Sequence, residues 1–251
     1  MKYLLTLLTL FSISVMAKDP SEIKADEEAV NQIVCPDNAD RFLDHGKKTY
    51  TSMMDLYLSQ QDQIDKYSEW YTTVLEFKKD NTTHQDSFKK IQELKSSLAQ
   101  KVSRAKENYN NQVIVLAAEV PKTKKCWKYH EENKKKKVSE YLESLQSKKI
   151  LQHFKECVSA QQGLIGDEKI KLSLAEDFYE SKINRNKLLT ESKKMQEKIS
   201  YRKKYAQKKC DEVVKSGFKL DFEQIPINSK DQEEINKVMK EQRKKMQQLR
   251  E

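Results

Sequence analysis

Apolar side chains recur every three or four residues through most of this chain, and they alternate with polar ones almost nowhere. Phe42, Met53, Leu56, Tyr67, Trp70, Val74 and Phe77 keep that spacing, and Tyr57, Ile64 and Tyr71 widen the stripe. A second stripe runs through Phe88, Ile91, Leu94, Leu98, Val102, Ala105, Tyr109, Val113 and Leu116. A third holds Trp127, Val138, Leu142 and Leu145, then shifts phase to Leu151, Phe154 and Val158. A fourth holds Leu174, Phe178, Leu188, Met195, Ile199, Tyr205 and Val213. A 3.6-residue period is the signature of amphipathic helices.

The few breakers place the ends. Pro36 and Asp37 open a first helix running to about Lys79, and Asp80-Asn81-Thr82 ends it. Thr83 caps the next, with Asp86 three residues on as in a capping box, and Pro121 breaks the chain after Ala118. A third helix is expected from near Lys124 to Ala160, a turn at Gly163 to Gly166, and a fourth helix from its cap Asp167 to Ser216, with Gly217 as its stop. Such helices are each about 60 Å long at ~1.5 Å per residue, and their short connections make consecutive ones antiparallel. The predicted fold class is therefore all-α, an elongated, coiled-coil-like up-down bundle of long amphipathic antiparallel helices over residues 37–216. A three-rod arrangement with only a kink at Pro121 is its competitor.

The two ends differ from this pattern. Lys2, the apolar stretch from Tyr3 to Val15, and Val15-Met16-Ala17 have the layout of a secretory signal with a cleavage site, so residues 1–17 are expected to be removed. Residues 18–36 form an N-terminal segment before the bundle. Beyond it, Phe218, Leu220 and Phe222 alternate and lead to Ile225-Pro-Ile227, which reads as an extended segment over 217–228. Ser229 and Gln232 can cap a terminal amphipathic helix, 229–251, carrying Ile235, Val238, Met239, Met246 and Leu249. It is expected to dock on the bundle, the alternative being a pairing with a second chain.

Composition supports helices with a narrow core. Charged residues are 35% and hydrophobic ones 37%, against about 25% and 45–50% in ordinary globular chains. Only four Gly and four Pro occur, too few turn formers for many short strands, whereas eleven Tyr and eight Phe supply a core. Without Lys2 the net charge of +9 becomes +8; residues 18–80 carry 8 basic and 14 acidic groups, so residues 81–251 carry +14. An acidic first helix against basic later ones favours compact packing. Two stretches concentrate the positive charge: Lys122, Lys124, Lys125, Lys128, Lys134, Lys135, Lys136 and Lys137, then Lys198, Arg202, Lys203, Lys204, Lys208 and Lys209. With a turn at Gly163 to Gly166 they share one end of the bundle, among Trp127, Tyr129, Tyr201 and Tyr205, and form a candidate anion-binding patch. The competing reading is a solvated face whose aromatics fill the core.

Four cysteines in an exported chain suggest disulfides. The expected topology brings Cys35, Cys126 and Cys210 to one end, giving a bridge among those three, and leaves Cys157 alone, bridged between chains, or on a third helix that is broken. Cys126-x-x-x-His130 and His153-x-x-x-Cys157 have metal-ligand residue types at one-turn spacing, but no Gly or Pro lies between 122 and 162 to bring the halves together, so no metal site is expected. Glycine-rich phosphate loops, His-Glu-x-x-His and Gly-x-Ser-x-Gly are all missing from the sequence. No catalytic residues, cofactor or small-molecule substrate follow, and the chain reads as a non-enzyme. Asn81-Thr-Thr83 is a glycosylation sequon whose use depends on the host. The expected function is that of an exported structural or interaction protein, periplasmic or extracellular, which holds protein partners, including a copy of itself, on long helical faces. One alternative is a binder of anionic membrane surfaces or polyanions (phospholipid, lipopolysaccharide, nucleic acid) through the Lys-rich end; another is a holdase-type chaperone.

Overall fold

A computed structural model of the chain describes residues 20–218 apart from Lys148. The signal segment, the terminal helix over 229–251 and all but the first two residues of the extended segment lie outside the described residues. The described chain is all-α: α1 (Pro20–Val34), α2 (Asn38–Leu75), α3 (Thr82–Lys125), α4 (Glu132–Ser147), α5 (Ile150–Tyr179) and α6 (Arg185–Val213). A single 3-10 turn, Trp127–Tyr129, joins α3 to α4, and a π-turn, Val214–Phe218, follows α6. No helix among the described residues is long and apolar enough to cross a membrane.

The helices pack into two compact units, one from the chain up to Ser52 with Glu107–Tyr141, the other from Met53–Lys106 with the chain from Leu142 on. In the first unit, Ala39, Phe42, Tyr109, Leu116, Val138 and Tyr141 are buried. Phe42 meets the Tyr141 ring edge-on, at 5.6 Å between centroids. Gly46 gives Tyr141 its room, because a Cβ there would lie 2.6 Å from the ring's Cζ. In the second unit, Ile64, Tyr67, Trp70 and Val74 of α2 join Ile91 of α3, Leu164, Ile165, Leu172 and Ala175 of α5, and Ile199 of α6 in one apolar cluster. The α2, α3 and α6 members are apolar positions of the sequence stripes, whereas Leu164, Ile165, Leu172 and Ala175 of α5 belong to none of them, the fourth stripe having run through Leu174 and Phe178 instead. Within each unit α2 and α3 are antiparallel. Thr49 donates to the Gln112 carbonyl in the first, and Lys101 pairs with Asp62 in the second.

Several boundaries differ from the expected ones, each for a physical reason. A helix, α1, occupies the segment expected only to lead into the bundle. Asn81, not Thr83, caps α3: its Oδ1 accepts from the His84 N–H. Pro121 lies inside α3. The carbonyl it leaves without a partner is that of Ala117, and both residues are exposed, so water can satisfy it. The expected third helix is interrupted twice, by the 3-10 turn after Cys126 and again at Lys149, whose φ of 48° is left-handed. The second interruption is where the apolar stripe shifts phase. Gly163 and Gly166 form no turn and lie within α5. Each glycine costs a helix interior about 1 kcal/mol, but Leu164 and Ile165 beside them are buried in the apolar cluster, and packing prevails. The turn falls instead at Glu180–Asn184, where the Asn184 side chain caps α6 by accepting from the Lys187 N–H. Asp167 consequently caps nothing and is a buried residue of α5.

Moving that turn resolves the cysteines. Cys35 pairs with Cys126 and Cys157 with Cys210. The bridge expected among Cys35, Cys126 and Cys210 is present, and Cys157 has its partner within the chain because the third helix is broken and the next turn lies further on.

Peptide mapping without reductant should return these two pairs and no others. Replacing Cys157 and Cys210 by Ser opens a loop spanning 53 residues, which in the chain-entropy model lowers unfolding stability by about 4 kcal/mol. The glycines supply a second check by denaturant melting. Gly46→Ala should destabilise by about 1–3 kcal/mol through the clash with Tyr141. Gly166→Ala, where nothing lies within 4 Å of the added carbon, should stabilise by up to about 1 kcal/mol.

Candidate functional site

Most of the positive charge in the first stretch is answered within its own unit. Lys125 and Lys128 pair with Glu27 and Glu28 of α1, at 3.4 and 2.5 Å, and the Tyr129 hydroxyl also donates to Glu28. Those two donors hold the Glu28 carboxyl below its ordinary range. Lys134 reaches Asp40 of α2 at 2.7 Å, Lys135 pairs with Glu132, and Lys122 with Glu119. Lys124, Lys136 and Lys137 make no ion pair among the described residues. The attraction expected between acidic early helices and basic later ones thus acts side chain to side chain.

The second stretch divides by helix face. Lys198 and Arg202 turn toward α5, where both hold the Asp167 carboxylate, at 2.8 and 2.5 Å. Asp167 is nearly sealed from water, with 4% of its side chain exposed. Gly163 lies directly beneath the Arg202 guanidinium, so the absence of a side chain there clears the route to Asp167. Burial pushes the Asp65 and Glu168 carboxyls up; Lys203 opposes this at Asp65, and Lys171 and then Lys203 oppose it at Glu168. On the outer face, Lys204 and Lys208 make no ion pair with any of the described residues. Tyr201 and Tyr205 beside them are 73% and 48% exposed. The aromatics of this stretch therefore do not fill the core, and Trp127, at 36% exposed, does so only in part. The two basic stretches belong to different units, because the turn on which their expected juxtaposition depended is not at Gly163 to Gly166. The candidate patch reduces to the α6 face: Tyr201, Lys204, Tyr205 and Lys208, with Lys203 at its edge.

Other charged groups link helices. Glu176 of α5 accepts from Lys95 and Gln92 of α3 at 2.5 and 2.9 Å. Lys171 donates to Gln196 at 2.6 Å and lies over the Tyr71 ring, 4.3 Å from its centroid. Near the second disulfide, Lys209 pairs with both Glu156 and Glu212, and His153 lies beside them. Sequence reasoning passed over Glu156 and set Glu212 aside as one of two adjacent acids, Asp211-Glu212, that point to different helix faces. The spacing of His153 and Glu156 on one helix face was visible in the chain, whereas Glu212 joins them only through the α5–α6 register.

Compared with family models, curated proteins and solved structures, the chain matches none.

Cys126 and His130 do not face a metal together, since Cys126 is in a disulfide. His130 is buried, and its Nε2–H donates to Asn38 Oδ1 at 3.3 Å. Desolvation first, then the charges of Lys135 and Lys134, hold its pKa below the ordinary value, with Asp40 opposing. A histidine depressed in the folded state contributes stability above its unfolded pKa, about 6.5, that is lost as pH falls through the folded value. Urea unfolding at pH 7.5 and pH 5.0 should show a larger loss of stability in the wild type than in His130→Asn. An equal loss in both proteins would remove His130 as the cause.

Proposed function

We propose that this is an exported, non-enzymatic interaction protein that holds its partners on helical faces braced by disulfides. Two intrachain disulfides support export, because such bonds persist in oxidising compartments. The observation that carries the interaction reading is a set of large apolar side chains exposed on helices among the described residues: Ile114 at 66%, Ile170 at 50% and Leu189 at 58%. Helices that bury one face and leave such residues outward offer contact surface to a partner protein or a second copy. Photo-crosslinking residues placed at Ile114 and Leu189 in the expressing cell should trap a discrete adduct, and one at exposed Arg104 should not. If all three positions give the same smear or none gives an adduct, the reading fails.

The α6 face favours a second reading, attachment to an anionic surface. Among the described residues Lys204 and Lys208 have no acidic partner there, and Tyr201 and Tyr205 beside them are exposed. Each lysine contributes about 1 kcal/mol near an anionic membrane. In flotation assays with phosphatidylglycerol vesicles at low salt, the triple change of Lys203, Lys204 and Lys208 to Gln should lower binding at least tenfold. Changing Lys134 and Lys135 to Gln should lower it little, since these lysines are already paired with acids. Equal losses in both variants would mean diffuse polycation behaviour, and binding by neither variant nor wild type would end this reading.

A further inference from the structure

Two carboxylates share one ammonium beside the Cys157–Cys210 disulfide. Lys209 Nζ lies 2.8 Å from Glu156 Oε2 and 3.1 Å from Glu212 Oε2. His153, one helical turn before Cys157, brings its Nδ1 to 3.8 Å from that same Glu212 oxygen. This nitrogen is shut off from water and makes no hydrogen bond. One ligand atom from each of His153, Glu156 and Glu212 lies within 4.8 Å of the other two. Gln152 Nε2 donates to the other oxygen of Glu156, at 3.3 Å, which leaves Oε2 facing the cluster. With a neutral imidazole, the four side chains carry one more negative charge than positive.

We propose that His153, Glu156 and Glu212 form a divalent-cation site whose place the Lys209 ammonium holds when no metal is bound. This departs from the sequence expectation that no metal site exists. The reason is topological: the sequence motif paired His153 with Cys157, but Cys157 is consumed in a disulfide, and the third ligand comes from α6. One imidazole nitrogen with two carboxylate oxygens suits Zn²⁺ among the divalent metals, with three protein ligands and a fourth position left for water. Bond lengths of about 2.0–2.2 Å require the ligand atoms to draw together from their present spacing. The Glu156 and Glu212 side chains, 37% and 29% exposed, can make that movement, while the disulfide fixes the helices from which they project. Lys209 need only swing its flexible stem into solvent, and it stays protonated throughout. A dication then balances both carboxylates, where the ammonium balances one.

An ion-pair network alone would need no metal, and Lys209 separates the two cases. If its ammonium and the metal compete for one position, removing the lysine must tighten metal binding; if the network is only structural, it will not. The test is titration calorimetry of Zn²⁺ into the oxidised full-length mature protein at pH 7.5, with Co²⁺ absorption to report ligand geometry. The wild type should bind one Zn²⁺ per chain. His153→Ala and Glu212→Gln should each weaken binding by at least about tenfold, the loss seen even for outer-shell partners of metal sites. Lys209→Met should bind about tenfold more tightly, and Lys209→Gln serves as a second variant if Met perturbs the fold, which thermal melting reports. Undiminished binding in His153→Ala would put the ion elsewhere and overturn the assignment. So would no one-to-one binding in either the wild type or the lysine variants, or no gain on removing Lys209.

Discussion

Cys157 and Cys210 are equally distant along the chain from the Ile183-Asn184 turn, one on each side. Cys35 and Cys126 are likewise equidistant from Asp80-Asn81. In an antiparallel pair of helices, residues equidistant from the turn face each other, so each bridge closes its helix pair at the end away from the connection. Register between amphipathic helices is otherwise weakly held, because one stripe of apolar residues can slide past another by a turn at modest cost. Each disulfide removes that freedom. The remaining pairings, Asp167 with Arg202 and Lys198, Glu156 and Glu212 with Lys209, Glu27 and Glu28 with Lys125 and Lys128, all sit in the registers the bridges impose.

Those pairings explain how so charged a chain builds a core. A buried carboxylate such as Asp167 is costly to remove from water, and the attraction of two cations offsets that cost only where geometry is good. Its cations stay partly in solvent, which keeps their own desolvation small. The arrangement is better suited to specifying which helix faces meet than to adding net stability. Its effect on the surface follows directly. The excess of lysines over acids is spread unevenly, so that one α6 face keeps cations with no acidic partner among the described residues beside exposed tyrosines, while five of the eight lysines of the earlier run are paired with acids, three of them on α1 and α2.

Much of this could be read along the chain. Stripes at three- and four-residue spacing identified α2 and α3 and many of their buried residues, including Phe42, Tyr67, Val74, Ile91 and Leu116, whereas the fourth stripe ran the end of α5 and α6 together as one helix, though it did hold the buried Ile199. The phase shift between Leu145 and Leu151 marked the break before α5, though it was not read as one. The symmetry of Cys35 and Cys126 about Asp80-Asn81 was also available without coordinates. The symmetry of Cys157 and Cys210 was not, because two glycines displaced the expected turn.

The sequence by itself determined the secondary-structure class, the narrow amphipathic faces and the imbalance of charge, because these depend on local period and composition. Tertiary structure decided which breakers act. Gly163 and Gly166 stay helical because Leu164 and Ile165 are buried in the core and because Arg202 needs the space above Gly163. Pro121 stays helical because its orphaned carbonyl is within reach of water. The same packing chose the partners of the cysteines and lysines, and it brought Glu212 to His153 and Glu156. Pairings between residues distant in sequence depend on helix register, and register is set by the sum of contacts across a face rather than by any one residue on it.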